Sequence, residues 1–118
     1  MTFLCLAYGD ETQWNGLSKG EQDALLAQDA VLRRSGHLVA PVGSAITVRA
    51  PNGRVVTDDG PFSETRAPLA GFYLINARDA NEAIQLVAKT PCPNAGGAVE
   101  VWPVEELEQP EPEDSDDA

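Results

Sequence analysis

Two short stretches of this chain are apolar on both of their alternations, and that constrains the fold more than any other feature. In Thr2 to Tyr8, the side chains of Phe3, Cys5 and Ala7 fall on one side of an extended strand and those of Leu4, Leu6 and Tyr8 on the other. From Leu69 to Ile75, the residues Leu69, Tyr73 and Ile75 are opposed by Phe72 and Leu74. Strands with this pattern need cover on both faces. A chain of 118 residues has room for one domain, and 42% hydrophobic with 23% charged residues is a globular composition.

The cover available within the chain is limited to two helices. Ser18 followed by Glu21 makes a capping box, Leu25 and Leu32 with Ala24, Gln28 and Val31 lie at helical spacing, and Gly36 supplies a stop, which predicts a helix over 18–35. Asp79 with Glu82 repeats the start signal, and Ala80, Ala83, Ile84, Val87 and Ala88 share a face until Pro91. Between the helices, His37 to Ala40 reads as a strand. An Asn52-Gly53 pair between β-branched runs predicts a hairpin over 46–57. Residues 58–68 and 91–97 carry the proline and glycine of loops, and the alternation around Val99 and Val101 reads as a last strand.

The resulting order, β-α-β-(ββ)-β-α-β, is that of a ferredoxin-like split βαβ domain of the α+β class with an added hairpin, an antiparallel sheet and both helices on one face. The helices then leave the second face bare. An apolar patch of several hundred Å² exceeds what soluble monomers usually expose, so a second copy packed sheet to sheet, a dimeric α/β barrel, is the expected cover. Folding of the 58–68 and 91–97 loops over that face is the alternative within one chain.

Charge narrows the partners further. The net charge is −11, and residues 105–118 hold eight acidic side chains and no basic one, so residues 1–104 sum to 8 minus 11, or −3. Nucleic acid and anionic membrane surfaces are therefore excluded as expected partners. The domain is expected over 1–104, with 105–118 a solvated, disordered acidic tail. Thr2 to Tyr8 is too short to span a membrane and lacks the flanks of a signal peptide, which points to a cytoplasmic protein. Cys5 and Cys92 lack metal-ligand spacing and are read as reduced, with Cys5 in the core.

The segment Asp59-Gly60-Pro61-Phe62, continued by Glu64, Thr65 and Arg66 and then by Leu69-Ala-Gly71-Phe72-Tyr73, resembles the signature of the YCII-related, D-G-P-F family. Tyr8-Gly9-Asp10-Glu11 with Trp14 and Leu17-Ser18, and Val99-Glu100-Val101 with Pro103-Val104, extend the resemblance over about residues 2–104. It implies a ferredoxin-like dimeric barrel, a small-molecule or catalytic pocket at the dimer interface, and, as an alternative, a regulatory module associated with a sigma factor. A better-studied branch carries a histidine on the first helix paired with an aspartate. Residues 18–35 here hold no histidine, and the single His37 follows Gly36, so that dyad does not carry over.

Asp59, Glu64 and Asp10 are the acid/base candidates. Gly60 can adopt positive φ and Pro61 fixes its own, so the loop is stiff enough to aim the Asp59 carboxylate. Capping of a turn by Asp59, with Phe62 plugging the core, accounts for the same residues structurally. Asp10 and Glu11 either pair with Asp59 across converging loops or cap the turn into Trp14. Tyr8, Gly60, Pro61, Phe62, Arg66 and Phe72 are the expected ligand-binding residues, Arg66 as a clamp for a carboxylate or a partner of Glu64. No EF-hand spacing, G-x-G-x-x-G, P-loop or G-x-S-x-G is present, so neither a metal nor a nucleotide cofactor is expected.

Overall fold

The computed structural model describes residues 1–106; the greater part of the acidic segment expected at 105–118 lies outside the described residues. Four strands form one antiparallel sheet: β1 (Thr2–Tyr8), β2 (Leu38–Pro41), β5 (Leu69–Asn76) and β6 (Ala98–Pro103), in the order β2-β5-β1-β6. The two remaining strands, β3 (Ile46–Arg49) and β4 (Val56–Asp59), pair only with each other. With that hairpin set aside, the chain order of the main strands and long helices is β-α-β-β-α-β, a mixed α+β arrangement.

The long helix α2 (Lys19–Arg34) begins at the predicted capping box. The Ser18 hydroxyl accepts from the Glu21 N–H at 3.1 Å, and the Glu21 carboxylate accepts from the Ser18 N–H at 2.9 Å. Helix α3 (Ala80–Val87) starts on Asp79, whose carboxylate accepts from the Glu82 N–H at 2.9 Å. Two short helices were not legible as such. Asp10 accepts from the Thr12 N–H at 2.7 Å and opens α1 (Glu11–Asn15), and Pro91, expected only to stop a helix, begins α4 (Pro91–Asn94). Proline suits a first helical position because its missing N–H would have had no intrahelical partner there.

The core lies between the helices and one face of the sheet. Phe3, Cys5 and Ala7 from β1, Tyr73 and Ile75 from β5, Leu32 from α2, and Ala83 and Val87 from α3 are buried together. On α2 only Leu32 is fully buried, and Ala24 and Val31, expected on the inner side, are exposed. The other sheet face has no cover among the described residues. Across it run two rows, Leu38–Leu74–Leu4–Trp102 and Ala40–Phe72–Leu6–Glu100, fixed by the pairing registers. Leu38 is 53% and Trp102 54% exposed. The loops do not come over this face: Cys92 in α4 packs against the core on the helical side, and residues 61–66 are themselves exposed.

The hairpin differs from expectation in its turn. Asn52 (φ 55°) and Gly53 (φ 80°) do have positive φ, but Arg49 pairs with Val56, so six residues connect the strands and β4 runs on to Asp59. Pro51–Gly53 forms a 3-10 turn within that connection.

Candidate functional site

A cleft of about 440 Å³ opens where β1 and β2 end and β5 begins. Its floor is made by Ala7, Val39 and Gly71, and its walls by Leu26 of α2, Trp14 of α1 and Pro91, Cys92 and Ala95 of the α4 region. Gly71 is essential to this shape. A β-carbon placed there would lie 2.6 Å from the Ala40 carbonyl oxygen, so a side chain would force β2 away from β5.

Asp29 and Tyr73 meet on the wall of the cleft. Asp29 lies four residues after Leu25 and three before Leu32, which places a carboxylate on the inward stripe of α2. Tyr73 shares the inner side of β5 with Ile75. Its hydroxyl donates to the Asp29 carboxylate at 2.8 Å. Burial pushes the Asp29 carboxyl above the usual aspartate range, opposed by the Tyr73 hydrogen bond and by the nearby Arg33 guanidinium. Burial also raises the Tyr73 hydroxyl, and the Asp29 carboxylate adds to that rise. The half-buried Cys92 thiol is raised by burial first and by Asp29 second. In the core beneath, burial pushes the Cys5 thiol up to about 11. Both cysteines are free thiols.

The expected site residues divide into three groups. Asp10 and Phe72 line the cleft, Asp10 while capping α1. Tyr8 stands on the bare sheet face, where its hydroxyl donates to Glu100 Oε1 at 3.0 Å beside the Trp102 indole, which donates to the same oxygen at 3.2 Å. Asp59, Gly60, Pro61, Phe62, Glu64 and Arg66 lie at and beyond the end of the hairpin, and none of them lines the cleft.

In the hairpin group, Gly60 (φ 104°) closes the turn through its own backbone. Its N–H donates to the Ala45 carbonyl at 2.9 Å and its carbonyl accepts from the Thr47 hydroxyl at 2.7 Å. Phe62 does not plug the core: it is 79% exposed. Glu64 and Arg66 form no ion pair among the described residues, whereas Arg49 pairs with Asp58 at 3.2 Å. His37 lies away from the cleft lining, its Nδ1 accepting from the Asn76 N–H at 3.3 Å. Sequence reasoning missed Asp29, Tyr73 and Cys92. The available signal was the carboxylate of Asp29 on a helix side otherwise marked by leucines.

The model of the YCII-related domain matches residues 1–108. The chain belongs to the YCII-related family. An uncharacterized protein of Rhizobium meliloti (strain 1021) is 31% identical over 114 residues, covering 88% of this chain and 92% of that protein. Among solved structures, the YCII-related chain is similar to the 5-chloro-2-hydroxyhydroquinone dehydrochlorinase of Burkholderia phenoliruptrix AC1100, determined with 2,5-dihydroxybenzoquinone. The TM-score is 0.52 at 17% identity, over 91% of this chain and 96% of that one. At that identity the likeness is one of fold. No helix among the described residues is long and apolar enough to cross a membrane, and no cluster of three or more metal-ligating side chains occurs among them.

Proposed function

We propose that this protein is a ferredoxin-like homodimer, its two sheets packed bare face to bare face as a dimeric α/β barrel, whose clefts each bind a small flat molecule for proton transfer. The observation that carries the chemistry is the Asp29–Tyr73 pair on the wall of a mainly apolar cleft of ligand size, which Asp10, Glu11 and Arg33 also line. A carboxylate raised by burial is a better base at neutral pH than an exposed one, and the Tyr73 hydroxyl holds it in one orientation. Asp29 accepts a proton from the ligand; Tyr73 donates a hydrogen bond to the carboxylate and Trp14 offers a stacking surface.

The similarly folded dehydrochlorinase, bound to a hydroxylated quinone, supports a hydroxylated aromatic or quinoid ring as the first ligand class to try. Asp10 and Phe72 border the same space. The cleft lies on the helical side of the sheet, so a copy on the bare face makes it an interface pocket only by reaching round the sheet edge where β2 ends. Asp59, Glu64 and Arg66 enter that site only if a second copy brings them to it.

Titration of Trp14 fluorescence in a Trp102→Phe background, with 2,5-dihydroxybenzoquinone and hydroquinone as probes, tests the cleft. Saturable quenching that weakens at least tenfold in Asp29→Asn, with the fold intact by circular dichroism, is expected. Absence of binding, or binding indifferent to Asp29→Asn and Tyr73→Phe, overturns the catalytic reading and favours the non-catalytic, sigma-factor-associated module. Light scattering tests the dimer, which requires about twice 12.6 kDa.

A further inference from the structure

The cleft does not account for the Asp59-Gly60-Pro61-Phe62 motif, and what the motif builds is an arm. From Pro41 to Pro68 the chain leaves the sheet, forms the β3–β4 ladder, and returns. It is clasped at the root by the Val42 N–H donating to the Ala70 carbonyl and the Gly9 N–H donating to the Pro68 carbonyl, both at 3.0 Å. Beyond the root, β3 and β4 pair with no other strand. A lone two-stranded hairpin is marginal in water, and this one exposes its apolar side chains instead of burying them. Ile46 is 66%, Val48 63% and Phe62 79% exposed.

These three are not scattered. Ile46 and Val48 project from the same side of β3, and with Pro61 and Phe62 they line one open groove. The left-handed Gly60 turn, tied to Ala45 and Thr47, is what brings Phe62 back beside the strand.

We propose that this arm docks on a second copy of the chain, burying Ile46, Val48 and Phe62 in the subunit interface. The inference rests on the homodimer reading and extends it. Area is the argument for that occupant. Four strands ~4.8 Å apart, with seven residues at ~3.4 Å in β1, give the bare sheet face roughly 450 Å² in plan. A standard interface buries about 800 Å² of accessible surface per partner, and the arm, with Val42, Ile46, Val48, Val55 and Phe62, holds the largest group of exposed large apolar side chains off the sheet face, so its docking extends the contact between the copies towards that size. The arm also brings no net repulsion to an acidic body. Residues 42–68 carry Arg49, Arg54 and Arg66 against Asp58, Asp59 and Glu64, a net charge of zero, so the whole −3 of residues 1–104 resides in the body.

Sedimentation of the full chain over a concentration series tests this with two classes of variant. Val48→Asp/Phe62→Ser in the arm is expected to weaken dimerisation at least tenfold, with an unchanged far-ultraviolet spectrum. Phe62→Ser alone, outside both strands, provides a variant that leaves the ladder intact. Hydrogen exchange at residues 46–49 and 56–59 should slow as the protein is concentrated, in step with dimerisation.

Arm variants that dimerise as tightly as the parent, or arm exchange independent of concentration, overturn the inference. If Leu6→Asp on the sheet dissociates the dimer while the arm variants do not, the arm fails and the sheet-to-sheet reading stands; a parent that stays monomeric overturns both. Arm protection in a monomer, lost on truncation after Val104, assigns the groove to the chain's own acidic end and also overturns the proposal.

Discussion

The two faces of the central sheet are built from the same strands and nearly the same residue types, yet they have opposite fates. Phe3, Cys5, Ala7, Tyr73 and Ile75 point to the helices and are buried; Leu4, Leu6, Phe72 and Leu74, one position along, point away and keep part of their surface open. Hydrophobicity alone therefore says that a residue needs cover and not where the cover comes from. The supply of helices decides that, and here it runs out after one face.

Truncation on each face is the sharpest way to break the comparison. Phe3→Ala should cost about 3–5 kcal/mol in urea unfolding at any protein concentration, because it opens a cavity in the core. Leu4→Ala on the opposite face should cost about 2 kcal/mol per chain if a second copy covers it, with a midpoint that rises with concentration. A loss below about 0.5 kcal/mol, independent of concentration, would show that the face is truly bare.

A smaller effect distinguishes the cleft from the rest of the inner face. Tyr73→Phe should lose about 1 kcal/mol, the net value of one hydrogen bond, and raise the Asp29 carboxyl further because the bond from Tyr73 holds it down. The sign of the pH dependence follows from Asp29 itself. Its folded value lies above its unfolded one, so its contribution to stability is complete below the ordinary aspartate range and is lost as pH rises through the raised value. Asp29→Asn should remove that decline from the stability–pH curve, as read by thermal melts across the acid range. The smallest change is expected at Asp59. Exposed and without a hydrogen bond from its side chain among the described residues, Asp59→Asn should alter stability by less than about 0.5 kcal/mol.

How legible the molecule was depended on whether the signal was local. The caps at Ser18 and Asp79 and the strand alternations are written in neighbouring residues, and they placed the sheet and the long helices. Phe62 misled because its neighbours describe a turn and cannot say that the turn hangs away from the core. Asp10 was read as a cap of the turn into Trp14, and it caps the short helix α1; that this helix borders a cleft depends on its packing beside α2 and on α4, distant in sequence. Asp29 was overlooked because a carboxylate on a helix is usually a solvated one, and only its tyrosine partner, 44 residues away, gives it a role. The motif singled out in the sequence and the cleft proposed to bind a ligand are thus different places.

The two places adjoin at Gly71, which has no side chain. That residue pairs with Pro41, where the chain departs into the arm, and it forms the cleft floor at the same point. The close approach that only a hydrogen atom is small enough to permit therefore sets both the depth of the cavity and the point from which the protruding limb departs.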